Sequence, residues 1–465
     1  MFIVPLVNVR TLTVDEYGYY KQFWLIYETV TPIVILGFSR SLLYFLPRIE
    51  EPEKRSAYIT QTVMFLAMSS VVAILIYAVM ARTLGEGLGE AARSFFWRLC
   101  FFTFFTVTTD YMETLFVAQK KPVTQSVYHA AVWGLQAVVV IAASYFSRDV
   151  STIIWALTFF AMIRFFFAIA YTHVNFRLSL GFVSKASIAE QASFAIPVGL
   201  TGIVLLLLTQ TDKFIINSFL GRQAFAVYSV GAFQVPLAGV IQTSVGNVTL
   251  PLLAQYQSVG DFAAMKDLWR RSLMKTTLFF FPAFVFLEVT ARPFITILFT
   301  EEYADAAPVF MVYLLLFLRT SMETSTVIQA CNRTKFLVAG LAIGFPVNVL
   351  LGITLFKLFG RIGVPFATLF TLTGITVANL FYISRLLDTT VGRLFPTRAL
   401  LKRFLAAAIP GAVLWVAYRF YPVTNFFELA AAGLVYTGLY VFVGTRMGLM
   451  STRDLTALVR RRRSG

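Results

Sequence analysis

From Tyr20 to Gly444 the chain is a succession of apolar runs, most of them near the length of a bilayer-spanning helix, separated by short polar stretches. About 20 such residues cross the ~30 Å hydrocarbon core as a helix, which satisfies every backbone group inside the segment. No water-soluble core can bury so many runs of this length. Composition agrees: 13% of residues are charged, about half the fraction usual in soluble domains, and the mean hydropathy is +0.75. The expected fold class is an all-α polytopic membrane protein.

After a short apolar start, Met1–Val9, thirteen spanning segments can be read. The first group lies near Tyr20–Leu46, Ala57–Ala81, Phe95–Val117, Val123–Phe146 and Ser151–Tyr171, ending in a polar linker, Asn175–Glu190. The second lies near Gln191–Phe219, Phe225–Leu252, Leu273–Phe299, Ala306–Ala330, Phe336–Phe359 and Ile362–Ile383, ending in a basic linker, Arg385–Arg403. Two further helices follow near Phe404–Phe420 and Phe426–Gly444. The expected domains are an N-terminal helical lobe (1–180), a C-terminal helical lobe (181–390), and an appended helix pair with a basic tail (391–465).

Loop charge gives the orientation. Alternate loops and the tail hold 24 of the 39 Lys and Arg, and the opposite loops hold 10. Cytoplasmic loops accumulate these residues, so the linkers and the C-terminus are expected in the cytoplasm. The net charge of +16 then belongs to inner-leaflet loops rather than to a nucleic-acid surface. The tail, Arg460–Arg463, reads as an anchor on anionic lipid. Nine apolar residues cannot reach the opposite face, so the first helix reads as truncated, with either a start upstream of Met1 or a shortened variant of that helix expected. The N-terminus lacks the basic region of a signal peptide. Cys100 and Cys331 are far apart, and His129 and His173 form no constellation with them; no disulfide framework, metal or cofactor is expected.

The two groups repeat one design. Leu12–Tyr20 precedes a helix ending Leu46-Pro47, and Leu220–Tyr228 precedes one ending Leu250-Pro251. Ala118–Pro122 and Ala330–Lys335 each introduce the fifth helix of their group, again roughly 210 residues apart. Six helices per repeat return the chain to its starting side. The halves are therefore expected to be parallel, related by a pseudo-two-fold axis along the membrane normal.

These features resemble the polysaccharide flippases of the multidrug/oligosaccharidyl-lipid/polysaccharide exporter superfamily. The carriers are Asp212 with Phe219-Leu-Gly and Tyr228, the helix end from Gly37 to Pro47, and Asn332–Lys335 before the eleventh helix. The resemblance runs from Val9 to about Leu387 and implies two lobes rocking about a central cavity, with no ATP-hydrolysing domain. It implies translocation of polyprenyl-diphosphate-linked oligosaccharide across a cytoplasmic membrane, with membrane lipids and polysaccharide polymerase machinery as partners. No phosphate-binding G-x-x-x-x-G-K-[ST] loop occurs, and Gly85–Gly89 reads as a flexible outer loop.

Five basic residues fall inside helices: Arg40, Arg98, Arg164, Lys213 and Arg319. A charge at a helix centre costs about 2.5–3.5 kcal/mol even on lenient scales, so it faces protein or water. Arg98, near a helix start, can snorkel. Arg319, ~20 Å deep, leads as a contact for the implied diphosphate, because arginine's planar fork suits phosphate. Arg164, Arg40 and Lys213 follow. Competing structural readings pair Arg319 with Glu323 and let Lys213 and Asp212 neutralise each other near the membrane face.

The embedded acids are Glu28, Asp110, Glu113, Asp212, Glu288 and Glu323, of which Asp212, Glu288 and Glu323 are candidates for a coupling proton or sodium. Satisfaction by a neighbouring helix is the alternative for each. Gln242 and Asn247, on the proline-interrupted eighth helix, can meet sugar hydroxyls or simply pack; Gly340 and Gly344 read as helix contacts. Rival functions are a cation-coupled multidrug exporter, a non-transporting scaffold, and a sugar polymerase or ligase. The short outward loops argue against the enzyme.

Overall fold

The computed structural model describes residues 3–83, 88–178, 181 and 183–449. Arg460–Arg463 and most of Gly85–Gly89 lie outside the described residues. Among those described, the chain is helical throughout, without a strand. The first ten helices are α1 Ile3–Thr11, α2 Val14–Ile35, α3 Phe38–Phe45, α4 Pro52–Thr83, α5 Leu88–Ser94, α6 Phe96–Thr108, α7 Tyr111–Ala118, α8 Pro122–Ser147, α9 Val150–Phe176 and α10 Lys185–Gly231. The next ten are α11 Pro236–Ser258, α12 Phe262–Val289, α13 Ala291–Phe299, α14 Ala307–Thr320, α15 Ser325–Ala330, α16 Thr334–Phe359, α17 Gly363–Leu386, α18 Val391–Leu394, α19 Thr397–Phe420 and α20 Phe426–Arg446.

Among the described residues nine helical stretches are long and apolar enough to cross a bilayer, and the bent pair α2–α3 makes a tenth. This is a multi-pass membrane protein. Large apolar side chains such as Leu75, Phe166 and Leu350 stand exposed on the outer helix surfaces, where lipid rather than water suits them.

Several segments that read as continuous are broken. The run from Tyr20 to Leu46 splits where Leu36 and Gly37 adopt left-handed backbone (φ 44° and 78°), bending the pair by 44°. The run from Phe95 to Val117 breaks at Thr109–Asp110, Leu273–Phe299 at Thr290, and Ala306–Ala330 at Ser321–Thr324. Apolar periodicity cannot mark such breaks, because the same side chains suit either backbone. The segments read as Gln191–Phe219 and Phe225–Leu252 meet in α10, which kinks at Gly221 (φ 78°) and continues to Gly231.

Helix starts also move outward. The carboxylate of Asp261 accepts from the Ala264 N–H (2.9 Å), beginning α12 at Phe262, so Lys266, Arg270 and Arg271 ride on a helical extension rather than a loop. Thr13 and Glu16 cap α2 reciprocally: the Glu16 N–H donates to Thr13 Oγ1 (3.3 Å), and the Thr13 N–H to Glu16 Oε2 (2.9 Å).

The chain forms two compact units, Met1–Ser229 and Val230–Gly465. The repeat read from the sequence divides earlier, at residue 180. Contacts carry α10 into the first unit because Gln191 is buried in it. The Gln191 amide donates to Ser41 Oγ (2.6 Å) and Thr62 Oγ1 (2.7 Å) and accepts from Gln61 Nε2 (2.6 Å), joining α10 to α3 and α4.

Candidate functional site

The first unit encloses a cavity of about 760 Å³, within the range of small-molecule sites. Two of this unit's helix breaks open onto it, with Gly37 at one and Thr109–Asp110 at the other. A broken helix frees backbone groups and small polar side chains, which need water or protein partners inside a membrane. Arg164, from the middle of α9, supplies one. It donates from Nε (3.0 Å) and Nη2 (2.6 Å) to Thr109 Oγ1 and from Nη2 to the Thr106 carbonyl (3.2 Å). Thr106 is also met by the Tyr27 hydroxyl (3.0 Å).

Arg40 differs. It lines the same cavity from α3, stands exposed, and makes no hydrogen bond or ion pair among the described residues. This cation is held available. Asp110 and Glu113 share the cavity with it; Glu113 holds His129 Nδ1 at 3.0 Å, so histidine and carboxylate form a pair on one wall. Trp24, Tyr27, Phe102, Tyr128 and Trp133 contribute aromatic surface. The lining therefore combines guanidinium forks for oxyanions with flat apolar rings against which a sugar face can lie.

On the α10 wall, backbones touch. A Cβ on Gly37 would meet the Ala195 carbonyl oxygen at 2.4 Å, and one on Gly199 would meet the Leu36 carbonyl carbon at 2.4 Å. Only glycine permits that approach, so two glycines shape this side of the cavity.

The other predicted residues lie elsewhere. Asp212, buried in α10, accepts from the Tyr228 hydroxyl (2.8 Å), whereas Lys213 Nζ donates to Gln210 Oε1 (2.6 Å). Adjacent side chains on a helix diverge by about 100°, so the Lys213 ammonium does not meet the Asp212 carboxylate, which accepts instead from the Lys213 backbone N–H at Oδ1 (2.8 Å). In the second unit Arg319 donates to Thr376 Oγ1 (2.8 Å), leaving its buried Nε without a partner among the described residues. No ion pair joins it to Glu323; that carboxylate accepts from Gln242 Nε2 (2.7 Å) and from the N–H and hydroxyl of Ser325, bracing the α14–α15 break. Glu288 has a buried carboxylate oxygen with no partner among the described residues, and Asn247 is exposed on α11. A Cβ on Gly340 would lie 3.7 Å from Ile375, ordinary contact between α16 and α17.

Sequence reasoning ranks Arg164 and Arg40 but passes over His129 and Glu113 as a pair. A readable signal exists: Gln125, His129, Trp133 and Gln136 recur at helical spacing along α8, a polar and aromatic stripe in a lipid-facing helix.

The sequence model of the family described as polysaccharide biosynthesis protein matches residues 7–308. The chain belongs to this family. The match takes in every residue lining the cavity, from Trp24 to Thr209. No curated protein sequence matches the chain. Among solved structures, this family member is similar to the lipid II flippase MurJ in an inward closed conformation, with TM-score 0.75 and 14% identity over 98% of each chain. It is also similar to an inward-facing multidrug resistance MATE family transporter of the MOP superfamily (TM-score 0.64, 10% identity, 83% of this chain and 94% of that one). A third is a MOP superfamily transporter from Pyrococcus furiosus (0.54, 12%, 84% and 96%). These likenesses establish a MurJ/MATE-like helical fold.

Proposed function

We propose that the protein is a flippase that carries polyprenyl-diphosphate-linked oligosaccharide units across the cytoplasmic membrane by alternating access, for assembly of a surface polysaccharide. The observation that carries this reading is Arg40, exposed without a hydrogen bond or ion pair among the described residues in a polar, aromatic-lined cavity of a polysaccharide biosynthesis protein. A diphosphate leaving water must exchange its hydration for fixed charge-assisted bonds, and an unengaged guanidinium offers two in parallel. Arg164, already bonded to Thr109, orients beside it, and the rings of Trp24 and Trp133 suit sugar faces. Lys213, Gln242, Asn247 and Arg319 are further candidate substrate contacts.

Coupling falls to an acid. Glu288 is the leading candidate for a proton or sodium, because its buried oxygen lacks a donor among the described residues, whereas Asp212 and Glu323 are already satisfied. Asp110 and Glu113 in the cavity favour a second reading, a cation-coupled exporter of cationic compounds. Partners on the first reading are membrane lipids and polysaccharide polymerase machinery, with the C-terminus cytoplasmic.

Deleting the gene and analysing the lipid fraction decides between the two readings. Accumulation of polyprenyl-linked glycan on the cytoplasmic leaflet, relieved by the wild type but not by Arg40→Ala, is the expected result. Unchanged glycan export with altered drug sensitivity supports the exporter.

A further inference from the structure

A second cavity, of about 680 Å³, lies in the first unit at the start of α4 and the end of α9 and shares no lining residue with the large one. The two helix ends are tied together. The Ser56 hydroxyl, near the start of α4, donates to the Arg177 carbonyl (3.1 Å), and Arg177 turns left-handed (φ 49°) to end α9. That bond brings Arg55 and Arg177 to one level. The apolar stretch of α4 begins at Ala57, so Arg55 stands two residues outside it, about 3 Å along the helix. Each headgroup layer of a bilayer is roughly 5–7 Å deep, so both arginines belong to that layer. They stand on the side richer in Lys and Arg, cytoplasmic by charge.

Neither arginine is engaged. Both line the cavity, yet neither side chain makes a hydrogen bond or ion pair among the described residues. Of the Arg55 guanidinium only Nε is closed off, and the two terminal nitrogens keep exposed surface; Arg177 is exposed. Glu51 is held by Lys54 Nζ (2.9 Å), which leaves Glu53 as the unengaged carboxylate of the lining. Val174, 79% exposed, and Phe176 add apolar surface from α9.

This combination selects the ligand. Two open guanidinium forks suit a phosphate oxyanion. Water would hydrate the forks but gain nothing from Val174 and Phe176. A free phosphate dianion would set its second negative charge against Glu53 and leave the same apolar surface wet. A phosphodiester carries one charge, the hydroxyl or ammonium beyond it donates to Glu53, and the glycerol and first acyl carbons lie against Val174 and Phe176. We infer that this cavity holds the headgroup of an inner-leaflet glycerophospholipid, its phosphodiester between Arg55 and Arg177.

The test is native mass spectrometry of the delipidated full-length protein titrated with palmitoyl-oleoyl phosphatidylglycerol, with p-benzoylphenylalanine in place of Val174 to mark the site by photocrosslinking. A saturable crosslinked adduct of one lipid is expected. Arg55→Gln and Arg177→Gln, neither of which removes an internal bond, should each weaken it about fivefold, and together about twentyfold or more. Replacing Arg460–Arg463 by glutamine should leave it unchanged, because a built site does not draw on the general basicity of the chain. Diacylglycerol, with the same tails and no phosphate, should not displace the lipid, and sn-glycerol 3-phosphate should do so only in large excess.

Equal crosslinking of diacylglycerol, a yield unchanged in the double arginine variant, or an equal loss on neutralising the tail overturns the assignment. Displacement by equimolar glycerol 3-phosphate also overturns it, in favour of a soluble phosphate ester. Neither glycan nor transport enters the readout, so its failure leaves the cargo assignment standing, and lost export in the Arg40 variant leaves this cavity untouched.

Discussion

Arg40 and Arg164 reach one cavity but stand on different footings, and substitution separates them. Arg40 makes no hydrogen bond or ion pair among the described residues, so Arg40→Ala removes no internal bond. We expect membrane abundance and thermal stability within about 0.5 kcal/mol of wild type and loss of glycan export, measured by surface-polysaccharide immunoblot. Arg164→Ala strips the α6–α7 break of its donor; charge-assisted bonds are worth about 1.5–3 kcal/mol net, and half exposure puts this toward the low end. Here stability and export should fall together, and Arg164→Lys should recover stability better than export, because an ammonium replaces the charge but not the fork. Arg319→Ala should leave the protein in the membrane and stop export; normal export from a stably expressed variant removes Arg319 from the pathway. The arginines could be found from the sequence because a deep charge must be explained. The pairing of His129 with Glu113 and of Gln22 with Asn217 could not, since each joins residues from different helices whose facing is set only by packing.

The helices are legible as apolar runs, and their breaks are not. Leu36–Gly37 and Thr109–Asp110 shape the cavity, yet neither interrupts the hydropathy that marks a span. Their consequences are local and testable. A leucine at Gly199 would drive its Cβ into the Leu36 carbonyl carbon, so Gly199→Leu must separate α10 from the α2–α3 bend. We expect sharply reduced accumulation of folded protein by fluorescence-detected size exclusion, with the conservative Gly199→Ala intermediate. Gln191→Leu is a milder case. Its three bonds look strong, but interhelical hydrogen bonds in membranes average about 0.6 kcal/mol, rarely above 1.7. A thermal-stability loss within that range is expected, because Gln61, Ser41 and Thr62 each retain another hydrogen bond.

For the molecule as a whole, the charge asymmetry between alternate loops predicts its orientation in the membrane. Single cysteines at Lys266 and Arg393 should react with impermeant maleimide only after the membrane is opened, and one at Arg361 should react in intact cells. The reverse pattern would invert the orientation. The background for this experiment removes Cys100 and Cys331, neither of which is in a disulfide.

Read alone, the sequence determines that the chain is a helical membrane protein, because the cost of an unpaired backbone group in hydrocarbon leaves a long run of apolar residues no other structure. It also singles out the deep arginines, because a charge in lipid is expensive wherever its helix lies. What only the tertiary structure decides is which polar side chains meet. Arg319 finds Thr376 rather than Glu323, Asp212 finds Tyr228, and Gln22 finds Asn217. Each partner comes from another helix or from beyond a kink in the same one, selected by bends and close backbone contacts that leave no mark in hydropathy.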